Sequence, residues 1–110
     1  MEGRVRYYYV NNCLRRGIRF SIPKKEFSNL IQSSCHYCGS PPRNQHKLKI
    51  YLFLYQGLDR LDNSKGYISG NCVPCCRRCN SIKGEHLSHE EMILVASVLK
   101  GLTRAAAHRR

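Results

Sequence analysis

The sequence predicts a small α+β fold in which a short run of strands is enclosed by two CxxC pairs and flanked by helices. Three observations carry this reading. Residues 48–55 alternate, with Leu48, Ile50, Leu52 and Leu54 on one side and Lys49, Tyr51, Phe53 and Tyr55 on the other, the period of a strand. Cys35/Cys38 and Cys76/Cys79 bracket that run with matching spacing. Apolar residues recur at helical spacing at Phe27, Leu30 and Ile31, and again from Met92 to Leu99.

Taken in order, Arg4 to about Arg16 forms a short helix with Tyr7, Tyr8, Val10 and Leu14 on its apolar side, and Gly17 interrupts it. The three consecutive tyrosines are read as packing residues. Ile18-Arg19-Phe20 is a brief extended segment, and Pro23 opens a second helix that ends near Ser33. Ser40-Pro41-Pro42-Arg43-Asn44 is a loop by composition. After the strand of residues 48–55, Gly57 is a break, Leu58 to Leu61 a second strand, and Asp62-Asn63-Ser64-Lys65-Gly66 a turn. Tyr67-Ile68 resumes an extended path into Asn71-Cys72-Val73. A helix follows from Cys76 to about Lys83, stopped at Gly84, and Ser88-His89-Glu90-Glu91 is a capping box opening the last helix, with a frayed tail beyond Gly101.

Charge narrows the partner. Lysine and arginine number 19 against 7 acidic residues, a formal net charge of +12, far beyond what solubility requires, so the expected partner is a polyanion. That inference names nucleic acid and leaves the activity open. The apolar run from Met92 to Leu99 is far too short to span a bilayer, and no apolar signal segment opens the chain. The expectation is therefore an intracellular, cytoplasmic protein without a membrane partner.

Seven cysteines falling in close pairs suit a metal in a reducing compartment better than crossing disulfides. Two intervening residues let both thiolates of a pair turn toward one ion. Cys72-Val73-Pro74-Cys75 is also a CxxC. Cys76 and Cys79 are preferred because Pro74 suits a helix entry whose first turn then presents both sulfurs. Four sulfurs, Cys35, Cys38, Cys76 and Cys79, fill a tetrahedron around Zn²⁺ and leave no position for substrate, so this zinc is structural. Cys13, Cys72 and Cys75 remain as free thiols, and His36 is an alternative ligand.

The segment Gly57-Leu58-Asp59-Arg60-Leu61-Asp62-Asn63-Ser64-Lys65-Gly66-Tyr67, followed by Asn71, Pro74 and Cys76-Arg77-Arg78-Cys79-Asn80-Ser81-Ile82-Lys83-Gly84, resembles the HNH (ββα-metal) endonuclease superfamily. The likeness runs from Cys35 to Gly84, with flanks similar to those of small phage and homing-type members. It implies one HNH domain over 1–110: a helical buttress over 1–34, a zinc-stapled ββα core over 35–84, and a C-terminal helix over 88–100 with a basic tail. It also implies that Asp59 and Asn80 hold a catalytic Mg²⁺ or Mn²⁺, while Asn71 orients the active-site loop. Oxygen ligands suit such an ion, which neutralises the scissile phosphate.

One position departs from the family pattern. Arg60 stands where the general-base histidine normally follows the metal-binding aspartate, and a guanidinium cannot readily accept a proton from water. It can clamp a phosphate oxygen, and the PacI-like subgroup of rare-cutting restriction enzymes shows the same Asp-Arg pair followed by Gly-Tyr. Tyr67 is then the candidate proton acceptor or water-positioning group, with His36, His46 and a hydrated metal as alternatives. Arg15, Arg16, Arg19, Lys65, Arg77, Arg78 and Lys83 are the expected nucleic-acid-binding cations, most suited to double-stranded DNA. Cutting both strands with one site would take a homodimer or two visits. The competing reading is a catalytically inactive zinc-ribbon module that binds nucleic acid.

Overall fold

A computed structural model describes residues 2–47 and 51–108, with side chains through residue 102. The elements run α1 (Glu2–Arg16), α2 (Lys24–Ile31), β1 (Asn44–Lys47), β2 (Leu52–Tyr55), β3 (Gly57–Arg60), β4 (Cys72–Cys75), α3 (Arg77–Lys83) and α4 (His89–His108). The fold is α+β, with two short antiparallel sheets, β1 with β2 and β3 with β4.

Helix α1 ends where Gly17 takes φ +67°, and the Ile18 amide reaches back to the Cys13 carbonyl at 2.9 Å. That left-handed closure satisfies carbonyls the helix would otherwise leave open. Of its three tyrosines only Tyr9 is a packing residue: Tyr7 and Tyr8 are 64% and 58% exposed. Successive helical residues point about 100° apart, so three in a row cannot share one face. Pro23 occupies the cap position of α2 rather than its first turn, and Phe27 and Ile31, four apart, are buried together.

The strand expected over 48–55 is a hairpin arm instead. Asn44–Lys47 pairs with Leu52–Tyr55 in antiparallel register, so Asn44 belongs to a strand and not to the preceding loop. Leu48, Lys49 and Ile50 lie outside the described residues. Hydrophobic pattern could not reveal β1, because Asn-Gln-His-Lys has no apolar member. On β2 the aromatic side faces inward: Phe53 and Tyr55 are half-buried against the helical core, while Leu52 and Leu54 are exposed.

The second sheet divides two cores. Val5, Ile22, Phe27, Ile31 and Leu58 pack on one side with Tyr9, Phe20 and Tyr67. Cys35, Tyr37, Cys75, Cys76, Cys79, Met92 and Ala96 pack on the other. Strand side chains alternate between faces, so with Leu58 in the helical core the next residue, Asp59, is delivered to the cysteine side. Pro74, read from sequence as a helix entry, lies within β4 opposite Leu58. Its carbonyl accepts from the His36 amide at 2.8 Å and so fastens the first CxxC to the sheet.

Helix α3 starts one residue after its cap, Cys76, and ends at Gly84 with φ +49°. Helix α4 opens with the anticipated reciprocal cap: the Glu91 amide donates to Ser88 Oγ at 3.1 Å and the Ser88 amide to Glu91 Oε1 at 2.8 Å. It then continues through Gly101 to His108, where fraying was expected. One helical glycine costs only about 1 kcal/mol relative to alanine, and Ala105, Ala106 and Ala107 that follow are the best helix formers.

Candidate active site

The two CxxC turns meet. Ligand atoms of Cys35, Cys38, Cys76 and Cys79 all lie within 4.8 Å of one another. Backbone amides already face these sulfurs, with Cys76 N donating to Cys35 Sγ at 3.3 Å and Cys79 N to Cys76 Sγ at 3.4 Å. The alternative pair is not used: Cys72 packs in the helical core, and the Cys75 thiol donates to the Cys76 carbonyl at 3.4 Å. The cluster fits a dication by its donor set, three buried thiols and the half-buried Cys38, because four thiolates this close can coexist only around positive charge.

Of the two residues between Cys35 and Cys38, Tyr37 points at Asp59. Tyr37 is fully buried, and its hydroxyl donates to Asp59 Oδ2 at 2.6 Å. His89 Nδ1, from the first turn of α4, lies 3.3 Å from the same hydroxyl. A phenol has one proton, and the short bond to the carboxylate takes it, so His89 must be the donor in its contact. Burial, followed by the bond to Asp59, raises the Tyr37 pKa, which keeps the phenol neutral.

Lys83 closes the other side. Its Nζ is 3.2 Å from Asp59 Oδ1, 3.1 Å from Oδ2 and 3.1 Å from the Arg60 carbonyl. The ammonium donates to Asp59 Oδ1 and to the Arg60 carbonyl, and lies within ion-pair distance of Oδ2. Lys83 was expected among the phosphate-binding cations; the structure buries it at 1% exposure as the partner of Asp59, itself 5% exposed. The reason is helical geometry: the last turn of α3 crosses the end of β3, and a buried carboxylate needs a paired charge.

Asp59, Arg60, Tyr67 and Asn80 line one cleft of about 210 Å³ with Arg16, Asn63 and Glu85. Arg60 is fixed within it: Nη1 donates to the carbonyls of Asn63 and Lys65 at 3.2 and 3.0 Å, and its guanidinium lies 5.2 Å from the centre of the Tyr67 ring. Tyr67 packs edge-on to Tyr9 at 5.9 Å. Burial raises its pKa despite the opposing charge of Arg60. Asn71 does not reach the cleft. Its Oδ1 accepts from the Asp62 amide at 3.0 Å, and its Nδ2 donates to the carbonyls of Asp62 and Gly66 at 3.1 and 2.8 Å, closing the turn between β3 and β4.

That turn is held from outside as well. The Tyr67 amide donates to the Arg19 carbonyl at 2.8 Å and the Ser21 amide to the Tyr67 carbonyl at 2.9 Å. A Cβ on Gly66 would collide with the Arg19 carbonyl, so only glycine allows this approach. A second groove follows, lined by Arg19, Arg60, Ser64 and Lys65. Arg77 and Arg78 are exposed beside Arg43 on a different groove, and Arg15 is exposed on the last turn of α1. His46 is on β1 beside Tyr8, and His36 stacks on His89 at 5.3 Å; neither lines the Asp59 cleft. Sequence reasoning missed Tyr37, His89 and the ion pair of Lys83. No local pattern announces them, since each depends on a contact across 22 to 52 residues.

No family model matches the chain. It is similar to an uncharacterized protein, R423, of Acanthamoeba polyphaga mimivirus, 35% identical over 75 residues. The match covers 68% of this chain and 12% of that relative, so the chain spans about an eighth of its length. Among solved structures it is similar to PacI, a rare-cutting HNH restriction endonuclease studied for its perturbation of DNA. The TM-score is 0.76 at 22% identity, over 96% of this chain and 81% of that one. The likeness shows an HNH-like fold. Among the described residues no helix is long and apolar enough to cross a membrane.

Proposed function

We propose that the chain is a metal-dependent endonuclease of the HNH type, akin to the PacI-like subgroup, that hydrolyses phosphodiester bonds of double-stranded DNA and carries a structural zinc. The observation that carries the proposal is the single cleft onto which Asp59, Arg60, Tyr67 and Asn80 all open. A carboxylate and an amide side chain lining one open cleft suit a hard cation that retains several waters. Bound there, Mg²⁺ or Mn²⁺ would neutralise charge on the scissile phosphate and stabilise the departing 3′ oxygen.

The chain's own groups do the rest. Arg60, immobilised by two carbonyls and an aromatic ring, offers its remaining donors to a nonbridging phosphate oxygen without reorganising. Tyr67, held neutral by burial, positions water rather than accepting its proton. Asn71 keeps the turn carrying Asn63 and Lys65 in register with the cleft. Arg16, Arg19 and Lys65 extend cationic surface from the cleft into the next groove, the path of a backbone read by charge rather than by base. Zinc at Cys35, Cys38, Cys76 and Cys79 fits the four-sulfur cluster, because tetrahedral thiolate sites favour that ion.

The inert binding module draws on one observation, the Lys83–Asp59 ion pair, which already neutralises the carboxylate. A supercoiled-plasmid assay decides. The purified chain with Mg²⁺ should nick or linearise plasmid, and Asp59→Ala should lose this activity while keeping zinc content and DNA affinity. If Asp59→Ala cleaves as fast as its parent, the endonuclease reading fails; if the parent does not cleave, the binding module is the better account.

A further inference from the structure

The side chains of strand β1, Asn44, Gln45, His46 and Lys47, are all hydrogen-bonding groups, and strands ordinarily avoid Asn and Lys. Pairing with β2 sorts them by face. Asn44 and His46 lie opposite Tyr55 and Phe53, and this inner face seats the hairpin: Phe53 and Tyr55 pack against the helical core, and His46 meets Tyr8 at 6.1 Å. Gln45 lies opposite Leu54 and Lys47 opposite Leu52, and all four are exposed on the outer face. The result is a two-stranded ribbon, fixed from behind, that turns a carboxamide, an ammonium and two isobutyl groups toward solvent.

Cations stand at its base. Arg43 precedes β1, and a groove of about 370 Å³ is lined by Arg43, Asn44, Gln45 and Arg77. Arg43, Lys47 and Arg77 are not spent on acidic partners, since among the described residues the one ion pair joins Lys83 to Asp59. Arg77 sits one turn of α3 before Asn80, which lines the Asp59 cleft, so one short helix joins the ribbon to the cleft.

We propose that the β1–β2 ribbon reads sequence: it enters the major groove of duplex DNA with Gln45, Lys47, Leu52 and Leu54 against base edges, while Arg43 and Arg77 hold phosphates at the groove's rim. This rests on the endonuclease reading of the Asp59 cleft and supplies what the cations of that cleft lack, because phosphate contacts position a protein without telling one sequence from another. A two-stranded β-ribbon fits the major groove, about 12 Å wide. Its side chains match the chemistry found there. A glutamine carboxamide meets N6 and N7 of adenine, a lysine ammonium meets O6 and N7 of guanine, and an apolar side chain packs on the thymine methyl. Gln45 and Leu54, directly opposite each other, suit the two halves of one A·T pair. The leucines also favour base edges over bare backbone, which offers them nothing apolar.

The test uses the zinc-loaded full chain without added Mg²⁺, so that binding is read without cleavage. Duplexes selected from a randomised library should converge on a preferred site. Replacing its adenine by 7-deazaadenine alters only the major-groove edge and should weaken parent binding by about fivefold, the scale of one base contact; replacing thymine by uracil, which removes the methyl, should weaken it by less. Gln45→Ala should be indifferent to 7-deazaadenine and Leu54→Ala to uracil, and Lys47→Ala should lose preference at one position. Thermal midpoints should stay near the parent's, because all three side chains are exposed. A preference that survives the three substitutions gives sequence reading to another element and overturns the proposal, as does salt-dependent binding without preference; both spare the endonuclease. A dimer in sedimentation that Leu54→Lys dissociates gives the face to a second copy and overturns it too. No affinity for any duplex removes the endonuclease reading and this proposal with it.

Discussion

Arg60 is held in one orientation by three contacts. Two go to carbonyls of the turn that follows it and a third to the face of Tyr67, so its plane is set by the fold. If that plane stabilises charge in the transition state, Arg60→Ala should lower the single-turnover cleavage rate by about a hundredfold, the scale of losing one preorganised donor. Arg60→Lys should recover only part of it, because an ammonium cannot span two carbonyls, stack on a ring and still present a fork. Equal rates for parent and alanine variant would return Arg60 to a role in holding the turn. The family resemblance singled out this position through Asp-Arg followed by Gly-Tyr. The identity of its anchors was not legible, because backbone carbonyls carry no signature in a sequence.

Among the elements, α4 is the one whose start matters more than its length. Its cap places His89 against Tyr37, so loosening the first turn loosens the support of Asp59. Ser88→Ala should cost about 1 kcal/mol in urea unfolding. Glu91 carries a pH signature. Its hydrogen bonds from Ser88 lower its folded pKa, so its contribution is complete above the unfolded value near ~4.3 and is lost as pH falls through the lower folded value. The stability gap between parent and Glu91→Gln should accordingly be present at neutral pH and vanish in acid; a gap independent of pH would mean that the charge on Glu91 contributes nothing. This cap was legible because its four residues are contiguous, as was α3, stopped at a glycine. β1 was not, since a polar strand is defined by its partner, and the extent of α4 was not, since a lone glycine looks like an ending until the residues beyond it are weighed. The sulfur cluster was legible in its spacing, yet Tyr37 inside it was not, because spacing says nothing about where an intervening side chain points.

For the molecule as a whole, a formal charge of +12 is spread so that Arg16, Arg19, Arg60 and Lys65 fall on two grooves sharing Arg60 and Asn63. Arg43, Arg77 and Arg78 lie on a separate groove beside Cys76. DNA affinity should therefore fall steeply with salt, with a log–log slope of roughly −0.9 per neutralised phosphate. Arg19→Ala should make that slope shallower by about 1, whereas Lys83→Met should leave it unchanged, since its ammonium is spent inside the fold. A slope equally altered by both would place Lys83 back among the phosphate contacts. The Asp59 cleft also draws its walls and braces from distant stretches of chain: Arg19 and Ser21 grip Tyr67, while Tyr37, Lys83 and His89 converge on Asp59. Contacts so far apart in sequence form late in folding, and synthesis delivers them one after another. The brace behind Asp59 is thus complete in a nascent chain only once His89 has been synthesised and has reached Tyr37.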